Sequence, residues 1–151
     1  MHWCLTTTDC WSGGSSATRD GTGKLEVAAQ YQGFAGQSAA WFSDADLLTF
    51  ADRLTTFPLG EQHISISGGY LDPAEDHVAL TVQARGRRGQ LGVTAHLVVP
   101  RDYRSDVEWS SSEARLEVLT TYEALGRFAS ELRHLVSGQV EEARLDAETL
   151  A

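Results

Sequence analysis

Apolar and polar residues alternate along much of the chain, which is the pattern of strands that bury one face. In residues 78–85, for example, Val78, Leu80 and Val82 alternate with less apolar positions. The pattern predicts six strands, over residues 24–31, 38–42, 63–67, 78–85, 91–99 and 114–120. Turns are expected at 33–36 and 86–89, where glycines separate consecutive strands.

Two segments follow a helical period instead, and they share one pattern. The form Ser/Thr-x-x-x-Leu-x-x-Phe-Ala-x-x-Leu begins at Ser43 and again at Thr121, 78 residues later. A hydroxyl at the first position suits a helix N-cap, and the apolar positions form one stripe. The first stripe is expected to continue to Phe57, before Pro58. Either an internal duplication or two similar solutions to packing a helix on a sheet explains the pattern.

The order of elements is therefore strand, strand, helix, four strands, helix. Short connections and clean alternation favour an antiparallel sheet with one covered face. We expect an α+β fold in which a single sheet of five or six strands carries both helices on one face. The expected organisation is a flexible N-terminal tail at 1–23, one domain at 24–138 and an acidic C-terminal tail at 139–151.

Several segments carry a family resemblance. They are residues 31–36, 40–42, 47–51, 77–80 and 119–125. With these segments the chain resembles a family of small actinobacterial proteins of unknown function, and its layout is similar to that of the WapI-type immunity proteins, small antitoxins of contact-dependent toxin systems. The resemblance spans roughly residues 25–136 and implies a fold and a protein partner. It supplies no catalytic residue.

Length and charge narrow the class of protein. A chain of 151 residues predicts one domain, and an apolar fraction of 42% is too high for a disordered protein. The net charge of −9 argues against a nucleic-acid partner, and no apolar run is long enough for a membrane span. The first residues lack the features of a signal peptide, so we expect a cytoplasmic protein.

Motifs for catalysis or cofactor binding are missing from the sequence. Phosphate-binding, dinucleotide-binding, nucleophile-elbow and zinc-protease patterns do not occur. Cys4 and Cys10 are expected to be free thiols in the N-terminal tail. We expect no cofactor, no metal and no enzymatic activity. Asp72, Glu75, Asp76 and His77 surround a proline turn, which suits either a hard cation or, more simply, an exposed acidic turn.

The polar phase of the strands is the first candidate surface. If the strands adjoin, it gathers two histidines, three hydroxyls and an amide: His63, Ser65, Thr81, Gln83, Thr94 and His96. Such a surface could be catalytic or bind a metal, but no carboxylate is expected on the same face. A solvated sheet face explains these residues more simply.

A run of arginines is the second candidate. Residues 85–104 contain five Arg and one Asp, a local charge of +4 in an acidic chain. The arginines are Arg85, Arg87, Arg88, Arg101 and Arg104. Guanidinium groups suit contacts to carboxylates or phosphates, whereas charged turns also keep edge strands soluble.

Two function classes remain. The first is a non-enzymatic protein-interaction domain, such as an immunity-type protein, that covers a partner protein with its open sheet face or an acidic patch. The second is a ligand-binding domain or enzyme with a pocket between helices and sheet, lined by Trp41, Phe42, Tyr70, Tyr122 or Trp109. A homodimer through an edge strand or the helices is left open.

Overall fold

A computed structural model describes residues 2–7, 21–69, 76–86, 88–99 and 112–146. Eight strands and two helices lie in these ranges. They are β1 (His2–Thr7), β2 (Thr22–Tyr31), β3 (Phe34–Ser43), α1 (Asp44–Arg53), β4 (Ile64–Gly69), β5 (Asp76–Arg85), β6 (Gln90–Val99), β7 (Ser112–Thr120), α2 (Tyr122–Val136) and β8 (Glu142–Asp146).

All strands belong to one antiparallel sheet, in the order β7-β6-β5-β4-β3-β2-β1-β8. The predicted α+β class is confirmed, and so is the element order from β2 to α2. Sequential strands pair with each other because short connections suffice between antiparallel neighbours.

The sheet is wider than the five or six strands expected, because both chain ends contribute a strand. β1 lies between β2 and β8, although residues 1–23 were expected to be a flexible tail. β8 falls within the expected acidic tail at 139–151, yet it buries Ala143 and Leu145 completely. Two apolar positions among charged ones are too few to stand out as a strand in the sequence, and β8 acquires its partner only through tertiary pairing.

Two hairpins show how turn chemistry sets the register. The β2–β3 turn is Gln32-Gly33, shorter than the expected 33–36, and both residues have positive φ, 49° and 85°. Two-residue turns of this kind match the twist of the flanking strands. Between β5 and β6, Gly86 and Gly89 adopt positive φ in the expected connection.

The sheet curls strongly around the core. In a flat sheet β3 and β6 would stand about 14 Å apart, at the usual strand spacing. Instead, the Ser38 hydroxyl donates to the Val98 carbonyl oxygen at 2.6 Å. A Cβ on Gly36 would lie 2.6 Å from the Cβ of Ala114 in β7, so only glycine permits this approach. The outermost strands also meet, where Thr120 Oγ1 donates to the Asp146 carbonyl oxygen at 3.1 Å.

One hydrophobic cluster joins the inward side chains of the sheet to the apolar stripes of both helices. The side chains of Ser43 and Thr121 cap α1 and α2, as predicted. α1 ends earlier than expected: Leu54 is its buried C-cap, and Phe57, expected in the stripe, is 76% exposed. Neither helix among the described residues is long and apolar enough to cross a membrane.

Candidate functional site

The outward residues of β4, β5, β6 and β7 form one continuous surface, here called the open face. Strand register places Ser65 opposite Thr81, Thr81 opposite Thr94, and Thr94 opposite Glu117. Ser67, Ala79, His96 and Arg115 form the next row along the strands. Five of the six residues expected on this face, Ser65, Thr81, Gln83, Thr94 and His96, therefore lie together, because the strands that carry them adjoin. His63 was expected to belong to the same strand as Ser65, but it precedes β4.

Carboxylates also lie on this face, contrary to the expectation. Glu113 and Glu117 reach it from β7, and the His96 Nε2 atom contacts Glu113 Oε1. Their positions follow from the two-residue period of β7, in which Leu116 and Val118 point inward. The same period thus carries the signal that sequence reasoning missed.

Arg85 is already paired within the molecule. Its Nε and Nη2 atoms donate to Glu117 Oε1 and Oε2 at 2.7 and 2.8 Å, a bidentate ion pair. The pair spans β6 above Gly92, where a Cβ would stand 2.8 Å from Glu117 Oε1. Of the other arginines in the expected anion-binding run, Arg88 is exposed in the β5–β6 turn. Arg87, Arg101 and Arg104 lie outside the described residues.

A groove of about 240 Å³ adjoins the open face, between α1 and β4. We call it the α1–β4 groove. It is lined by Asp46, Thr49, Phe50, Arg53, Ser65, Ile66 and Ser67. Phe50 and Ile66 are buried, whereas the remaining lining residues are exposed. His63 precedes β4 at one end, and its carbonyl oxygen accepts a hydrogen bond from Arg53 Nη2 at 3.2 Å.

The groove forms because β3 ends at Ser43 and therefore does not extend alongside the first residues of β4. β3 and β4 share a single paired position, Trp41 with Gly69. Two residues later the chain caps α1 at Ser43 and leaves the sheet. β4 continues to Ile64 with β5 on one side, so within the described ranges no strand pairs with its other edge beside Ser65 and Ser67.

The remaining candidates form no cluster within the described ranges. His77 is buried, and the side chains of the acidic turn around it, Asp72, Glu75 and Asp76, lie outside the described residues. No group of three metal-ligating side chains occurs in the part of the chain that the structure describes. Cys4 lies in β1, and Cys10 is outside the described ranges.

The three described residues among the aromatics expected to line a pocket point in different directions. Phe42 is buried in the core, and Trp41 is half-buried on the opposite phase of β3. The Tyr122 hydroxyl accepts a hydrogen bond from the Leu59 N–H at 3.1 Å, and its ring packs edge-on against Phe57. Tyr70 and Trp109 lie outside the described residues. Phe42 thus serves core packing, and Tyr122 serves a contact to the loop after α1.

Comparison with known proteins gives no relative. No protein-family model, no curated protein and no solved structure matches the chain.

Proposed function

We propose that the protein is a non-enzymatic protein-interaction domain that binds a partner protein through its open face. The observation that carries the proposal is the continuous row of Ser65, Thr81, Thr94 and Glu117 across four strands. Neighbouring strands lie about 4.8 Å apart, so the row extends over about 14 Å of surface. A surface of this width suits a protein better than a small molecule.

The chemistry of the open face supports recognition by many polar contacts. Hydroxyls of Thr81 and Thr94 can donate and accept hydrogen bonds. The bidentate Arg85–Glu117 pair holds two charges in a fixed geometry at the rim of the face. Fixed charges and short side chains lose little conformational entropy when a partner covers them.

Net charge indicates the kind of partner. At −9 the protein attracts basic surfaces, and such attraction speeds association. The layout expected from the sequence is similar to that of WapI-type immunity proteins, which supports the same proposal because an antitoxin of this kind covers its toxin. The more specific proposal is therefore an immunity-type protein of the cytoplasm that binds a basic toxin.

Quantitative affinity capture from the native host tests the proposal. The wild-type protein is expected to enrich one protein in a stoichiometric amount. Thr94→Arg, which places a long cation at the centre of the open face, is expected to lose that protein. Gln30→Arg is the matched control, since Gln30 is exposed at the end of β2 away from the open face. Equal recovery by both variants, or no stoichiometric partner at all, would refute the proposal.

A small-ligand-binding or enzymatic function is the second candidate, and the α1–β4 groove is the observation that favours it. The groove holds about 240 Å³, less than the roughly 300–1,000 Å³ of typical ligand pockets. This volume gives the protein-binding proposal the stronger support.

A further inference from the structure

We infer that the α1–β4 groove binds an extended segment of a partner protein, which adds a strand to the free edge of β4 and places a basic side chain beside Asp46. The inference rests on the proposed protein-binding function and names the chemistry of the partner. The groove and the open face share Ser65 and Ser67, so one partner can contact both.

Backbone direction identifies the groups that such a strand would meet. Along an antiparallel strand, consecutive residues turn their N–H and C=O groups to opposite sides. The His63 carbonyl oxygen faces Arg53 of α1, away from β5. Ser65 and Ser67, at the same phase, therefore turn their N–H and C=O groups into the groove. These groups recognise an extended backbone, as in other cases of strand addition.

The α1 side of the groove supplies a floor and two opposite charges. Asp46, Thr49, Phe50 and Arg53 are spaced at i, i+3, i+4 and i+7, so they lie on one helix face. Phe50 and Ile66 give the groove an apolar base. Arg53 lies at the His63 end, which leaves the carboxylate of Asp46 for the other end.

Charge decides between a foreign segment and a second copy of this chain. Residues 44–62 contain four acidic residues and one Arg, and Arg133 of α2 pairs with one of the four, Asp52, so the segment with this cation carries a charge of −2. Pairing of two β4 edges would bring two such segments together in a chain of net charge −9. A basic segment from a partner instead meets an opposite charge.

Amide hydrogen exchange followed by NMR tests the inference with defined peptides. The probe is acetyl-Thr-Val-Lys-Val-Thr-Val-amide, and its charge-reversed counterpart has Glu in place of Lys. With the Lys peptide at millimolar concentration, exchange of the Ser65 and Ser67 amides is expected to slow by at least about fivefold, since each gains a carbonyl partner. The Glu peptide is expected to protect them less.

Two pairs of variants make the test specific. Ser65→Pro removes the edge N–H at a position where proline is tolerated, and Ser65→Ala keeps it. Only the proline variant is expected to lose binding, by about tenfold or more, with an unchanged circular dichroism spectrum. Asp46→Asn is expected to weaken binding of the Lys peptide by roughly twofold to fivefold. Asp44→Asn, the control in the same helical turn but outside the groove, is expected to leave it unchanged.

The possible outcomes separate this inference from the proposed function. If Ser65→Pro unfolds the protein, the comparison of Asp46→Asn with Asp44→Asn tests the inference instead. Unprotected Ser65 and Ser67 amides, or equal binding of both peptides, overturn the inference. Protection of these amides without peptide, together with a doubled mass in sedimentation, also overturns it. That result would mean that the edge of β4 binds a second copy of the chain. If Thr94→Arg loses the captured partner while Ser65→Pro retains it, the inference fails and the proposed function stands.

Discussion

The two strand–helix units, β3 with α1 and β7 with α2, begin in the same way and end differently. In each, the last strand residue or the residue after it caps the helix: Ser43 Oγ accepts from the Asp46 N–H and Thr121 Oγ1 from the Ala124 N–H, both at 3.1 Å. Each then buries the same Leu, Phe and Ala positions. The two units are therefore equivalent in their N-caps and in the apolar positions that they bury.

Their surroundings differ. α2 has 15 residues, and β8 packs beside it, with Glu131 accepting a hydrogen bond from the Arg144 N–H. α1 has 10 residues, and one of its faces lines the groove beside β4. The same cap and stripe thus form a helix that has β8 beside it in one unit and the α1–β4 groove beside it in the other. We therefore expect α2 to matter more for stability and α1 for binding.

Truncation of the equivalent phenylalanines tests this difference most strongly. Phe128→Ala is expected to lower the free energy of unfolding by about 3–5 kcal/mol, because a fully enclosed ring leaves a cavity. Phe50→Ala is expected to lower it less, since Phe50 lines the groove and water can fill the space. Urea unfolding measures both. Equal losses would show that the groove side of α1 is as tightly packed as α2.

Two glycines are expected to respond to alanine with opposite signs. A Cβ on Gly68 of β4 would lie 2.7 Å from the Trp41 carbonyl oxygen and 2.8 Å from the Phe42 ring, so the backbone must shift. Gly68→Ala is expected to destabilise by about 1–3 kcal/mol. Gly126 of α2 has no atom within 4 Å of its would-be Cβ, and Gly126→Ala is expected to stabilise by about 0.5–1 kcal/mol.

Thermal unfolding of the two glycine variants provides the measurement. The wild-type melting temperature is the reference, and the two shifts should have opposite directions. A rise with Gly68→Ala would contradict the close approach of β3 and β4 that ends at the groove.

The two N-caps should contribute about equally to the free energy of unfolding. Ser43→Ala and Thr121→Ala are each expected to lower the free energy of unfolding by about 1 kcal/mol, because each leaves a first-turn N–H without its side-chain acceptor. Urea unfolding of each variant and of the double variant gives the values. Ser43→Thr and Thr121→Ser keep the acceptor and serve as controls. A several-fold difference between the two losses would show that the units are not locally equivalent.

The features that could be predicted from the sequence are the ones set by short-range patterns. The caps at Ser43 and Thr121, the helical stripes and the alternation in β5 and β6 all follow from periods of two or 3.6 residues. β8 could not be recognised in this way, because Ala143 and Leu145 are buried only once β1 and α2 lie beside them. β1 likewise depends on pairing with strands far away in the sequence.

The candidate site could not be predicted without the pairing register of the strands. The outward direction of Glu117 follows from the period of β7, but its pairing with Arg85 requires β5, β6 and β7 to align over Gly92. Similarly, the groove depends on the pairing of Trp41 with Gly69. Because the two strands are antiparallel, this register leaves the first residues of β4 without β3 beside them. Such alignments between distant segments are long-range properties that no local pattern contains.

The smallest expected effect concerns the ion pair that links the two helices. Arg133 Nη2 of α2 lies 2.8 Å from Asp52 Oδ1 of α1, and both side chains are exposed. A double-mutant cycle with Arg133→Ala and Asp52→Ala is expected to give a coupling energy of about 0.2–1 kcal/mol, because solvent screens the pair. The coupling should fall further in 1 M NaCl. A coupling well above this range would mean that charge, as well as the shared apolar stripe, holds the two strand–helix units together.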